Sequence, residues 1–63
     1  MKWLVYIKYD GERRWSFLSP NLEIIYEYND KCIWHEKWEY VFNKTFEDAK
    51  EWDYQFKIVK VGE

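Results

Sequence analysis

Apolar and polar residues alternate along most of the chain, and a period of two residues is typical of β-strands. The pattern predicts strands over residues 2–9, 13–19, 22–28, 32–42 and 54–61. The first strand carries apolar residues on both of its faces, which is typical of a central strand. Asp10-Gly11 separates the first two alternating runs, and this dipeptide predicts a hairpin between them.

The spacing of apolar residues changes from that of a strand to that of a helix after Thr45. Phe46, Ala49 and Trp52 recur at intervals of three residues and form one apolar stripe. Thr45 belongs to the residue types that cap helix N-termini, and the acidic pair after Phe46 suits the positive end of a helix dipole. The sequence therefore predicts one short helix over residues 45–53.

The resulting element order, β-β-β-β-α-β, predicts an α+β fold. We expect a small, curved, mostly antiparallel five-stranded sheet with the short helix before its last strand. The helix is expected to pack on the side of the sheet that carries Trp34, Trp38, Tyr40 and Phe42. An SH3-like small β-barrel is the alternative fold. A chain of 63 residues is long enough for one domain only, so residues 1–63 are expected to form a single compact domain.

Aromatic residues are unusually abundant, with five Trp, six Tyr and four Phe making up 24% of the chain. A domain of this size buries only about 60% of the surface of its unfolded chain, so part of this apolar surface must remain accessible. Contiguous exposed apolar surface usually marks an interface. We therefore expect a protein-binding module that docks onto a larger protein through one mixed sheet face, which carries Tyr6, Lys8, Ile25, Ile33, His35 and Lys37.

Nucleic-acid binding is the alternative function. Basic and aromatic residues on and near the first hairpin are the candidates for this surface: Lys2, Lys8, Arg13, Arg14, Trp15 and Lys60. The hairpin over residues 7–12, with the sequence IKYDGE, resembles that of the small barrel-shaped chromatin proteins of thermophilic archaea, and the resemblance implies nucleic-acid binding. The formal charge of the chain is −2, which gives no overall attraction to nucleic acid and makes protein binding the leading hypothesis.

The sequence predicts no catalytic residue, no metal site and no cofactor, and hence a protein that is not an enzyme. His35 is the only histidine and Cys32 the only cysteine, and a tetrahedral metal site needs more ligands than these two. Cys32 is interpreted as a small buried hydrophobic residue, and His35 as a surface or interface residue. The sequence contains no phosphate-binding glycine-rich loop and no nucleophile elbow.

The expected location is the cytoplasm, because a lone thiol suits a reducing compartment. No run of about 20 apolar residues is present, so membrane insertion is not expected. A regulatory or inhibitory role fits a small domain without chemistry of its own, and compact domains of this kind are common among phage and viral accessory proteins. A homodimer is a further alternative, since a second copy would cover an open sheet face.

Overall fold

The computed structural model describes residues 1–62 and confirms the α+β class and the one α-helix before the last strand, but three strands and not four precede that helix. Its elements are β1 (Trp3–Tyr9), β2 (Ser16–Leu18), β3 (Ile24–Ile25), a short 3₁₀ helix (Asp30–Cys32), α1 (Trp38–Trp52) and β4 (Tyr54–Lys60). The sheet is antiparallel throughout, in the order β3-β2-β1-β4, so it has four strands and not five. Because β3 and β4 remain its two edges, the alternative of a closed SH3-like barrel is wrong.

The predicted strand over residues 32–42 is wrong, because this segment divides into three conformations. Cys32 ends the 3₁₀ helix, Trp34 forms one isolated antiparallel bridge with Trp3, and the helix begins at Trp38. The bridge consists of two backbone hydrogen bonds of 2.9 Å between Trp3 and Trp34. Trp34 therefore extends the line of β2 along β1 for a single residue, and the chain then leaves the sheet.

Helix α1 is longer than predicted, and it buries a different stripe. Its buried residues are Val41, Thr45 and Ala49, which lie four residues apart and bring the helix close to the sheet because their side chains are small. Phe46 and Trp52, predicted to face the core, are 43% and 57% exposed. Thr45 does not cap the helix, since α1 begins two turns earlier.

The aromatic residues predicted to receive the helix mostly belong to the helix itself. Trp38, Tyr40 and Phe42 lie in its first two turns, and of the predicted set only Trp34 lies outside it. Trp38 and Tyr40 are exposed, whereas Trp34 is fully buried. The expectation that these four residues form one covered sheet face is therefore wrong.

The core lies between α1 and one face of the sheet. The alternate residues Val5 and Ile7 of β1 point into it, and the register with β4 places Ile58 and Phe56 directly beside them. The buried cluster consists of Val5, Ile7, Leu18, Trp34, Val41, Ala49 and Tyr54. Since successive strand residues point to opposite faces, Tyr6 and Lys8 of β1 face away from the helix.

Candidate binding surface

The sheet face opposite the helix carries a cluster of aromatic and basic side chains. In the sheet register Tyr6 lies between Phe17 of β2 and Lys57 of β4, so these three side chains form one row across the strands. Ile25 of β3 lies beyond Phe17 on the same face. We call this surface, formed by Tyr6, Lys8, Trp15, Phe17, Ile25, Tyr28 and Lys57, the open face.

Direct contacts between the rings and the lysines hold the open face together. The ring centroids of Tyr6 and Phe17 are 4.9 Å apart, and the ring of Tyr28 meets Phe17 edge-on at 6.0 Å. The Nζ atom of Lys57 lies 5.3 Å from the centroid of Tyr6 and 4.6 Å from that of Trp15. These distances are within the range of cation–π attraction, which orders the lysine side chains against the rings.

Trp15 is the residue at which the two lysines meet. The Nζ atom of Lys8 lies 4.9 Å from the centroid of the Trp15 ring, and that of Lys57 lies 4.6 Å from it. Trp15 is only half-buried. The indole of Trp15 thus contacts the ammonium groups of Lys8 from β1 and Lys57 from β4 at one place on the surface.

Charge is divided unequally between the two sides of the molecule, although the chain as a whole is acidic. Among the described strand residues on the face opposite the helix there are two lysines, Lys8 and Lys57, and no carboxylate. Helix α1, on the other side of the sheet, carries four acidic residues, Glu39, Glu47, Asp48 and Glu51, against two lysines, Lys44 and Lys50. The strand residues of the open face are therefore positively charged, although the chain as a whole has a formal charge of −2.

The structure brings together some of the residues predicted for protein binding. Tyr6, Lys8 and Ile25 belong to the open face. Ile33 and His35 flank the buried Trp34, so the alternation of an extended chain directs them towards the open-face side, at the end of β1 away from Lys8. Lys37 does not join them.

Lys37 lies instead on the helix side of the sheet, where it occupies the N-cap position of α1 without a side-chain hydrogen bond to the helix. It lines a groove of about 430 Å³ together with Trp3, Trp38 and Lys60. The expectation that Lys37 shares a surface with Tyr6 and Lys8 is wrong, because it rested on the strand predicted over residues 32–42.

The structure also places the residues predicted for nucleic-acid binding on different parts of the surface. Lys8 and Trp15 are in contact on the open face. Arg13 and Arg14 are exposed in the loop between β1 and β2. Lys60 lies opposite Trp3, whose side chain faces the helix side, so it does not belong to that surface.

Lys57 is the most important residue that the sequence analysis missed. It contacts two aromatic rings of the open face, but only the pairing of β4 with β1 places it beside Tyr6. The alternation of apolar and polar residues in β4 indicated that Lys57 faces away from Phe56 and Ile58. The spatial neighbour of β4 could not be read from that pattern.

A second group of aromatic side chains lies along the surface of α1. Trp38, Phe42 and Phe46 are four residues apart and stack in sequence, with centroid distances of 5.1 and 5.7 Å. Phe42 also contacts Phe56 of β4 at 5.9 Å, so the stack covers the edge of the core. This contact gives the stack a structural role in joining the helix to β4.

No helix within residues 1–62 is long and apolar enough to cross a bilayer. Within the same residues, no group of three or more histidine, cysteine, aspartate and glutamate side chains lies close enough together to hold a metal ion.

Comparison of the chain with protein-family models, with curated proteins and with solved structures gave no match.

Proposed function

We propose that this protein is a non-enzymatic binding module that docks its open face onto an acidic surface of a larger protein. The observation that carries the proposal is the position of Trp15 between Lys8 and Lys57, beside Tyr6 and on a face without strand carboxylates. Tryptophan and tyrosine are enriched in binding hot spots because they are large, stiff and amphipathic. A small regulator or inhibitor needs no more than such a surface.

The ordering of the lysines supports this proposal. Immobilising a long side chain on binding costs about 0.5–1.5 kcal/mol, and contacts formed before binding reduce that cost. Lys57 already rests against both Trp15 and Tyr6 in the free protein. An acidic partner would therefore meet ammonium groups that already lie against aromatic rings.

The size of the molecule is also sufficient for a specific interface. A standard interface takes about 800 Å² from each partner. The accessible surface of the protein is 4807 Å², so one sheet face with its flanking loops can supply such an area.

Single-stranded nucleic acid is the second candidate, and the exposed Arg13 and Arg14 in the loop between β1 and β2 favour it. Base stacking, however, requires ring faces that are not already covered. The rings of Tyr6 and Phe17 are tilted by 43°, and those of Phe17 and Tyr28 by 65°. With lysine ammonium groups already over Tyr6 and Trp15, the open face suits carboxylates better than bases.

The test is affinity capture with matched charge variants. Immobilised wild-type protein is compared with a Lys8→Glu/Lys57→Glu variant and with a Lys44→Glu/Lys50→Glu variant, which changes the net charge equally but on α1. We expect an acidic protein that is retained by the wild type and by the helix variant and lost with the open-face variant. Retention that is equal for all three proteins would contradict the proposal.

A nuclease treatment of the lysate separates the two candidate functions. A protein partner on the open face is retained after the treatment. If retention disappears with nuclease and binding of purified single-stranded nucleic acid weakens steeply with salt, the nucleic-acid function is correct and protein docking is wrong.

A further inference from the structure

A groove on the helix side of the sheet is separate from the open face and has a different character. It lies between the C-terminal half of α1 and the β2–β3 turn, and its volume is about 300 Å³. That volume is at the lower end of the range for small-molecule sites. The lining residues are Tyr9, Leu18, Leu22, Ile24, Asp48 and Trp52.

Leu22 lines this groove, and its backbone has an unfavourable conformation. Its φ angle is 62°, in the left-handed region that glycine and asparagine adopt most readily. Hydrogen bonds of the surrounding turn impose this geometry: the Leu22 N–H donates to the Ser19 carbonyl at 2.8 Å, and the Ser19 N–H to the Glu23 carbonyl at 2.9 Å. Backbone strain of this kind is found preferentially where a side chain serves binding.

Burial in the core does not account for leucine at this position. The side chain of Leu22 is 36% exposed, and its neighbours in the groove, Ile24 and Trp52, are also exposed. Only Leu18, at the floor, is fully buried. The groove thus presents apolar side chains that the fold itself leaves uncovered.

The polar end of the groove is formed by one oriented carboxylate. The hydroxyl of Tyr54 donates a 2.6 Å hydrogen bond to Oδ2 of Asp48 and so fixes the direction of this side chain. The ring of Tyr9 packs edge-on against Tyr54 at 5.5 Å and also lines the groove. Of the six lining residues Asp48 is the only charged one, so the groove is complementary to a cation.

We propose that this groove binds a small organic cation, a primary ammonium attached to an aromatic or branched alkyl group. The ammonium lies at the carboxylate of Asp48, near the rings of Tyr9 and Trp52, where a charge-assisted hydrogen bond and cation–π attraction act together. The apolar part of the ligand lies against Leu18 and Leu22. This proposal is independent of the docking function of the open face.

The test is a titration of ¹⁵N-labelled protein with 2-phenylethylamine, followed by the indole N–H signal of Trp52. 2-Phenylethanol is the neutral control, because it keeps the aromatic ring and lacks the charge. We expect a saturable shift of the Trp52 signal with the amine and a much weaker effect of the alcohol. No saturation in the millimolar range, or equal binding of the alcohol, would overturn the proposal.

Three variants connect the signal to the groove. Asp48→Asn keeps an acceptor for Tyr54 but removes the charge, and it should weaken amine binding about tenfold or more. Leu22→Asn relieves the backbone strain, so it should weaken binding several-fold without lowering the melting temperature. Glu47→Gln, which changes the charge of a residue outside the groove lining, should leave binding within about twofold of the wild type. Unchanged binding by Asp48→Asn or Leu22→Asn would refute the assignment.

Discussion

The indole Nε1–H of Trp34 donates a 2.7 Å hydrogen bond to the backbone carbonyl of Leu18, and both side chains are buried in the core. The same tryptophan forms two backbone hydrogen bonds with Trp3. Trp34 thus connects the end of β2 with the beginning of β1 through three hydrogen bonds, and the one from its indole is buried. A chain with no disulfide needs internal connections of this kind, because small domains have little hydrophobic surface to bury.

Replacement of Trp34 by phenylalanine should destabilise the fold markedly. The variant leaves the buried carbonyl of Leu18 without its donor, which costs about 1–3 kcal/mol, and the smaller ring adds a cavity. Since 1 kcal/mol corresponds to roughly 4–8 °C for a domain of this size, we expect the melting temperature to fall by about 10 °C or more. Circular dichroism during heating measures this change.

The matched control for this prediction is Trp38→Phe. Trp38 is 44% exposed and stacks on Phe42, and phenylalanine keeps the stacking. Its melting temperature should change much less than that of Trp34→Phe. Equal effects of the two substitutions would contradict the structural role assigned to the buried indole of Trp34.

The period of the aromatic residues explains why the middle of the chain was mispredicted. Trp34, Trp38, Tyr40 and Phe42 lie at even spacings and so imitate a strand. Trp38 and Phe42 are, however, also four residues apart, as neighbours on a helix are. The pairing of Trp34 with Trp3 lies between positions 31 residues apart in the chain, so no local pattern could show where the strand-like segment ends.

The open face was predicted in part for a similar reason. Alternation within a strand is a local property, so it predicts that Tyr6 and Lys8 share a face; for Ile25 of β3 the shared face depends on its pairing with Phe17. Lys57 was missed, because its position beside Tyr6 depends on which strand β4 pairs with. The order of strands in a sheet depends on long-range contacts that the spacing of apolar residues does not encode.

Thr45→Val should stabilise the protein. The hydroxyl of Thr45 is fully buried in α1 and has no hydrogen-bond partner among the described residues. Valine has nearly the same shape, so the substitution removes the cost of burying this group without making a cavity. We expect a gain of about 1 kcal/mol in the free energy of unfolding, measured by urea denaturation. Thr45→Ala is the control and should destabilise, because it empties part of the same space.

The hydrogen bond between Tyr54 and Asp48 should make stability depend on alkaline pH. Burial, this hydrogen bond and the charge of Asp48 raise the pKa of Tyr54 well above the ordinary 10.0. The unfolded chain can therefore lose this proton above about pH 10 whereas the folded chain retains it, so the stabilisation is complete below that pH and is lost as pH rises. The pKa of Tyr9 is also raised, mainly by burial and secondly by the charge of Asp48.

The variant Tyr54→Phe should lower stability at neutral pH by about 1–2 kcal/mol and make its decline above pH 10 less steep. Urea midpoints between pH 8 and about pH 11 measure both effects. Phe56→Leu is the control: it removes packing against the core from β4 but no ionisable group, so it should lower stability without changing the alkaline decline. If the stability of Tyr54→Phe falls above pH 10 as steeply as that of the wild type, other groups cause the pH dependence.

Tyr6→Ala should separate binding from folding on the open face. The ring of Tyr6 is half-buried and contacts Phe17 and Lys57, but it lies outside the core cluster, so its loss should leave the chain folded. The substitution removes one of the two rings that position Lys57. Affinity for a partner captured through the open face should therefore fall by about 1 kcal/mol or more, measured by calorimetry. Tyr26→Ala, which also removes a tyrosine, should leave the affinity unchanged. An unfolded Tyr6→Ala protein would instead show that Tyr6 belongs to the core, and a folded variant with wild-type affinity would place the docking surface elsewhere.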